Sequence, residues 1–107
     1  GTVSSSRLVK ENIRDVEDTS FLHQLEIKNF EYITQQPNEN GNKQKQVGVI
    51  AEDVELIKPE LVIMQGNGIK TVDYNYLFVC SLKEMQKQRT EINELKSLVN
   101  ALLNLNK

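Results

Sequence analysis

The sequence predicts an α+β protein with a small mixed head, residues 1-73, and a long C-terminal helix of the coiled-coil type, residues 74-107. Two observations lead to this prediction. Up to Asp73 the chain consists of short apolar runs separated by turn-forming residues, which is typical of short strands and helices. After Asp73 it contains neither proline nor glycine, and its apolar residues recur every seven positions. Because the head is small, its core is small too, and we expect association with other copies to stabilise it.

The first half of the head contains signals for a short helix, a strand and a loop. Asp18 or Thr19 can cap a short helix, since apolar residues follow at helical spacing over 21-25. Residues 27-33 alternate and include aromatic and β-branched side chains, which favours a strand. Residues 34-46 are polar throughout and include a proline and a glycine, so we expect a surface loop.

The sequence of the second half of the head predicts a strand, a helix and a hairpin, in that order. Residues 47-51 form a continuous apolar run, which is typical of a buried strand. The helix that follows should end near Lys58, because Pro59 disfavours helical conformation in the residue before it. Two further apolar runs flank Gly66, Asn67 and Gly68, and this combination predicts a tight β-hairpin.

The apolar positions of the C-terminal helix form the seam of a coiled coil. Its a and d positions are Met85, Gln88, Ile92, Leu95, Val99 and Leu102. A polar layer such as Gln88 sets register and strand number at some cost in stability and points to three strands, whereas β-branched a residues with leucine at d favour parallel dimers. About 30 helical residues extend roughly 45 Å, farther than the head can cover, so we expect the seam to face other copies.

Composition and charge argue against several classes of function. The 13 basic and 15 acidic residues are mixed along the chain and leave a net charge of -2, so we expect no nucleic-acid partner. No run reaches the ~18 to 20 apolar residues of a membrane span, and the first residues do not resemble a signal peptide, so we expect no membrane partner. Cys80 is predicted to pack as a small hydrophobe, and His23 has no second histidine or nearby cysteine. We therefore expect neither a metal nor a cofactor.

Three consecutive serines, Ser4 to Ser6, stand ahead of Lys10 and raise the question of a nucleophile. A serine hydroxyl needs a base to take its proton, and a lysine serves only in its neutral form. Since the ordinary pKa of lysine is about 10.4, such a site must favour the neutral amine by burial or by nearby positive charge. Arg7 and Arg14 are candidates for that charge. Serine and lysine five residues apart are not by themselves specific for catalysis.

Three stretches together resemble the C-terminal intramolecular chaperone domain of bacteriophage tailspikes, tail fibres and neck appendages, the peptidase S74 family. They are SSSRLVKENI, QVGVIAEDVELIKPELV and IKTVDYNYLFVCSLKEMQKQ, in this order along nearly the whole chain. Domains of this family trimerise an upstream fibre or spike segment and assist its folding. They are then released by self-cleavage at a serine that acts with a lysine five residues later.

The resemblance implies a site and a mode of action for this chain. Ser5 would be the nucleophile and Lys10 its partner, in a single-turnover self-cleavage between Ser4 and Ser5. The family often has aspartate beside the nucleophile where this chain has serine, and Ser6, four residues before Lys10, remains a second candidate nucleophile. The resemblance further implies a parallel homotrimer that acts on the upstream segment of its own precursor in the host cytoplasm during virion assembly and is absent from the mature fibre.

Two alternatives remain open at this point. The chain could be a homotrimerisation module without catalytic activity, in which the serines have no chemical role. It could also be the equivalent self-cleaving domain of a membrane-tethered transcription factor of the myelin regulatory type, which the same module resembles. Cleavage of a precursor would separate the first alternative, and the nature of the upstream segment would separate the second.

Overall fold

The computed structural model describes residues 1-106 and confirms the predicted α+β class. In chain order, these residues form a 3₁₀ helix (Arg7–Val9), a second 3₁₀ helix (Ser20–Gln24), strands β1 (Lys28–Phe30) and β2 (Gln46–Gly48), helix α1 (Ala51–Ile57), a third 3₁₀ helix (Pro59–Leu61), strands β3 (Val62–Met64) and β4 (Lys70–Val72), and helix α2 (Tyr74–Leu105). The elements up to β4 form the head, and α2 extends from it in a molecule that measures 64 × 46 × 29 Å. No helix within residues 1-106 combines the length and the apolar character needed to cross a membrane.

Strands β1 and β2 pair in antiparallel fashion, with Asn29 opposite Val47, and the predicted polar loop connects them. The loop is held by its own polar groups. Asn38 accepts hydrogen bonds from two backbone amides through its side-chain oxygen, and Lys43 donates to the backbone carbonyls of Tyr32 and Ile33. This turn removes Tyr32 and Ile33 from the pairing, so the strand predicted over 27-33 is shorter than the apolar alternation suggested.

Strands β3 and β4 form the predicted hairpin at Gly66 to Gly68. Gly68 has a φ of 80°, a left-handed conformation that glycine adopts without steric cost. The side-chain oxygen of Asn67 accepts a hydrogen bond from the Ile69 amide and closes the turn. The local turn signals were therefore sufficient to predict this element.

Helix α1 begins at Ala51, inside the run 47-51 that was predicted as a strand, and β2 ends at Gly48. The prediction was wrong for the end of this run because Val49 and Ile50 leave the sheet to enter the helix. The helix ends at Ile57, just before Lys58, as the following Pro59 predicts.

The core of the head is formed by six buried residues from the second and third 3₁₀ helices, the link after β2, α1 and the first turns of α2. They are Phe21, Val49, Val54, Leu61, Leu77 and Cys80. The burial of Cys80 confirms the packing role predicted for it. Since Leu77 and Cys80 belong to α2, the first turns of the long helix complete the core of the head.

The start of α2 is attached to the head by Asp73 and Tyr74. Asp73 caps the helix by accepting a hydrogen bond from the Tyr76 amide, and its own amide donates to the Leu61 carbonyl. The hydroxyl of Tyr74 accepts from the Val49 amide at 3.0 Å. A Cβ atom on Gly48 would lie 2.5 Å from this hydroxyl, so only glycine allows the tyrosine to approach β2 this closely.

Lys58 covers the edge of the core between α1 and the third 3₁₀ helix. Its amine lies 4.8 Å from the centre of the Phe21 ring, a distance at which a cation is attracted to the ring face. The same amine hydrogen-bonds Glu60 at 2.8 Å, and this bond raises the pKa of Lys58 and lowers the pKa of Glu60. Lys58 therefore keeps its positive charge at the border between the apolar core and the solvent.

Replacement of Leu61 by alanine is expected to lower the free energy of unfolding by about 2 to 5 kcal/mol, because the side chain is 1% exposed and its loss leaves a cavity. The matched control is Leu56→Ala, since Leu56 is 87% exposed, and we expect a change within about 0.5 kcal/mol. Urea unfolding of both variants at one protein concentration, followed by circular dichroism, measures the difference. Equal losses would contradict this assignment of the core.

Candidate active site

The predicted nucleophile and its partner lie on an N-terminal segment that the rest of the chain does not cover. Every residue from 1 to 18 is exposed. Among them are apolar side chains that a single chain leaves in water, such as Leu8, which is 94% exposed, and Ile13. The conformation of this segment therefore depends on its own local hydrogen bonds rather than on packing against the head.

A single 3₁₀ turn, Arg7–Val9, shapes the segment around the three serines. The Val9 amide donates to the Ser6 carbonyl at 3.1 Å, and the Lys10 amide donates to the Arg7 carbonyl at 3.3 Å. The hydroxyl of Ser6 caps the turn by accepting a hydrogen bond from the Leu8 amide at 3.1 Å. The turn folds the chain back so that the residues on its two sides can meet.

The structure brings Ser5 and Lys10 into direct contact across this turn. The Nζ atom of Lys10 donates a hydrogen bond to the Oγ atom of Ser5 at 2.7 Å. A proton can pass between two groups at this separation, since the same distance serves a neutral amine that accepts the hydroxyl proton. Both side chains are exposed in the single chain.

The other residues of the predicted site are placed differently. Ser6 directs its hydroxyl to the Leu8 amide, while the lysine amine bonds the hydroxyl of Ser5. Ser4 is exposed and precedes Ser5 directly, so its carbonyl belongs to the peptide bond next to the Ser5 hydroxyl. Among the ion pairs within residues 1-106, none includes Arg7 or Arg14.

Two features of the segment were not expected from the sequence. One is the capping role of Ser6. The other is Asn12, which has a φ of 53° in the left-handed region that asparagine tolerates better than most residues. This conformation redirects the chain just after Lys10. An asparagine shortly after a turn is a possible signal for such a bend, but it is too common to be specific.

The predicted seam of α2 is uncovered in the single chain. All residues from 88 to 106 are exposed, and the seam residues Ile92, Leu95 and Val99 border one shallow apolar groove. Leu102, one turn further along, is 61% exposed. An apolar stripe of this length on a projecting helix is typical of a surface that pairs with other helices.

Polar residues join the second 3₁₀ helix and the residue before it to α2. Thr19 is fully buried, donates to Glu84 at 3.3 Å and accepts from the amine of Lys87 at 3.2 Å. His23 contacts the same carboxylate at 3.4 Å and is more than half exposed. No three metal-binding side chains within residues 1-106 lie close enough together to hold an ion, and His23 is part of this polar junction.

Comparison with known proteins connects this geometry to a family. Residues 5-63 match the model of the peptidase S74 family, described as chaperone of endosialidase; the match covers more than half of the chain and begins at Ser5. The chain is also similar to the long tail fiber protein Gp37 of Salmonella phage S16, with 29% identity over 106 residues, which is 94% of this chain and 14% of that protein. These findings confirm the resemblance: the chain belongs to the peptidase S74 family, the chaperones of endosialidase.

Proposed function

We propose that the chain is the intramolecular chaperone of a bacteriophage fibre or spike protein, and that it leaves its precursor by one self-cleavage between Ser4 and Ser5. In this proposal Ser5 is the nucleophile and Lys10 is the base. The observation that supports it most directly is the 2.7 Å hydrogen bond between Lys10 Nζ and Ser5 Oγ in a member of a peptidase family. The start of the family match at Ser5 agrees with this choice of the first released residue.

The proposed reaction uses the Ser5 and Lys10 side chains that this turn brings together, the Ser4 carbonyl and water. The neutral amine of Lys10 takes the proton of the Ser5 hydroxyl, and the oxygen attacks the carbonyl carbon of Ser4. The peptide bond between the two serines then breaks as an ester forms, and the Ser5 nitrogen accepts a proton to become a free amine. Water hydrolyses the ester, which leaves a carboxylate on Ser4 and restores the hydroxyl of Ser5. Each chain reacts once, because the reaction consumes its own peptide bond.

The attack starts with a large advantage in proximity. The nucleophile and the carbonyl that it attacks belong to neighbouring residues, so no translational entropy is lost when they come together. The contribution of the fold is then to hold the base against the hydroxyl, and the Arg7–Val9 turn provides this contact. A short local turn therefore brings the proposed base to the proposed nucleophile.

We infer that assembly into a homotrimer supplies what the single chain lacks. The dyad is exposed in one chain, whereas burial would favour a neutral amine, and hydrogen-bond donors held in a water-excluded site would stabilise the developing oxyanion. The exposed apolar residues of the N-terminal segment and the uncovered seam of α2 are surfaces that other copies can cover. Cleavage would then follow assembly and mark its completion.

The proposed cargo is the segment of the same precursor that lies upstream of this chain. The similar protein is a phage long tail fiber protein, and the chain corresponds to only 14% of its length, which supports a fibre as the cargo. Trimerisation and folding would take place in the host cytoplasm during virion assembly, and the cleaved chaperone would be absent from the mature fibre.

The decisive experiment is to express the chain with its native upstream segment and to identify the products. We expect a small fragment on a denaturing gel whose N-terminal sequence begins at Ser5. A fragment that begins at Ser6 would move the nucleophile by one residue. A precursor that trimerises and remains full length would contradict self-cleavage and favour a homotrimerisation module without catalytic activity. A DNA-binding segment upstream would instead favour the transcription-factor alternative.

A further inference from the structure

The contact between Ser5 and Lys10 requires the chain to turn between them. In an extended chain, residues five positions apart are separated by roughly 17 Å, which is too far for a direct hydrogen bond between a serine and a lysine. A 3₁₀ turn advances only about 2 Å per residue. The 2.7 Å contact therefore requires a turn between the two residues, and the structure provides it at Arg7–Val9.

Little apart from local hydrogen bonds holds this turn in the single chain. Its three residues are exposed and none belongs to the core, so packing does not impose the conformation. Helical segments this short are only marginally stable in water. Besides the two backbone bonds of the turn and the Lys10–Ser5 hydrogen bond that spans it, the hydrogen bond from the Leu8 amide to the Ser6 hydroxyl is a side-chain contact that holds it.

Ser6 has the backbone and the side chain of a helix cap. Its φ and ψ of -65° and 146° are extended, and its oxygen lies 3.1 Å from the Leu8 amide. Serine is among the best capping residues because its short side chain reaches the free amides of the first turn. An alanine at this position would leave the Leu8 amide to water and would loosen the turn.

We propose that Ser6 is a positioning residue for the self-cleavage: its hydroxyl caps the turn that holds Lys10 against Ser5. This inference rests on the proposed function, since it concerns the rate of the same reaction. It assigns different tasks to the two neighbouring serines. Ser5 reacts, and Ser6 keeps the base within reach without touching the reacting atoms.

The test compares Ser6→Ala with Ser6→Asn in the precursor with its native upstream segment. Ser6→Ala removes the cap and is expected to slow cleavage about 2- to 30-fold, since a cap of this kind shifts the turn equilibrium by that factor. Asparagine caps as well as serine does and adds no charge beside Lys10, so Ser6→Asn is expected to cleave within about twofold of the unaltered precursor. In both variants the released fragment should still begin at Ser5.

Two readouts separate positioning from other roles. Sedimentation should give the same assembly for the precursor with serine, alanine or asparagine at position 6, because the side chain is exposed and its hydrogen bond is local. The pH dependence of the cleavage rate should keep its midpoint in Ser6→Ala while the rate falls at every pH, because the cap holds the base without exchanging protons with it.

The outcomes also separate this inference from the proposed function. Cleavage of Ser6→Ala at the rate of the unaltered precursor overturns the positioning role and leaves the dyad intact. Complete loss in both Ser6→Ala and Ser6→Asn overturns it too, and identifies Ser6 as the nucleophile in place of Ser5. Absence of cleavage in the unaltered precursor overturns the proposed function itself.

Discussion

A precursor that carries Ser5→Ala is expected to assemble as before and to remain uncleaved, with a rate reduced by at least about a thousandfold. Without the hydroxyl there is no oxygen next to the Ser4 carbonyl that Lys10 could activate. Replacement of Ser5 by alanine removes only the exposed hydrogen bond to Lys10, so we expect folding and assembly to be unaffected. The measurement is a time course of the released fragment on a denaturing gel.

Lys10 can be tested in the same assay with two variants that distinguish a base from a charge. Lys10→Ala removes both the base and the positive charge. Lys10→Arg keeps the charge, but a guanidinium does not lose its proton in proteins and cannot act as the base. We expect both variants to block cleavage. Cleavage by Lys10→Arg at the unaltered rate would show that the residue acts through its charge.

Ser97→Ala is a matched control for the serine substitution. Ser97 is exposed and lies on α2 at an f position, on the side of the helix opposite the seam. We expect this variant to cleave at the unaltered rate. Equal cleavage by Ser5→Ala, Lys10→Ala and the control would contradict the dyad.

Charged substitutions in the seam of α2 are expected to convert the assembled chain to monomers. In the double variant Leu95→Asp with Leu102→Asp, each copy would bring two carboxylates into an apolar seam, and buried charges without partners cost several kcal/mol each. Both leucines are about 60% exposed in the single chain, so the substitutions leave the fold of the head intact. Sedimentation equilibrium measures the result, with a trimer expected for the unaltered chain.

The matched control places the same charges on the opposite side of the helix. Thr90 and Ser97 occupy f positions, one heptad apart, and both are exposed. We expect Thr90→Asp with Ser97→Asp to sediment as the unaltered chain does. A stable dimer of the unaltered chain would contradict the trimer, and a trimer that persists in the leucine variant would show that α2 does not hold the copies together.

The same seam variant tests the proposed order of assembly and cleavage. If other copies complete the surroundings of the dyad, the precursor with Leu95→Asp and Leu102→Asp should release its fragment much more slowly than the Thr90→Asp, Ser97→Asp control. Equal rates would show that the turn at Arg7–Val9 acts within a single chain and that cleavage does not depend on assembly.

Local elements of the fold were predictable because their causes lie within a few residues. Pro59 ends α1, the glycines around Asn67 make the β3–β4 turn, and the absence of proline and glycine after Asp73 allows one long helix. The errors occurred where distant groups compete with local preference. The strand predicted over 27-33 ends early because Lys43, ten or more residues away, binds the carbonyls of Tyr32 and Ile33.

The candidate site was predictable in part. The family resemblance, together with the five-residue spacing, predicted that Ser5 and Lys10 act as a pair, and the two side chains are in contact in the structure. The capping contact of Ser6 could not be predicted, because three identical side chains in a row differ only in the direction that the backbone gives each of them.

Turn residues and hydrophobic period act through nearest neighbours, so the main strands and helices, their order and the apolar stripe of the long helix could be predicted from the sequence. How these elements pack against one another became visible in the folded chain alone. The Tyr74 hydroxyl lies against Gly48, and the buried Thr19 joins Glu84 and Lys87 across 65 and 68 residues of chain. Such contacts depend on shape and on paired polar groups that come together only after folding, and one-dimensional patterns do not contain this information.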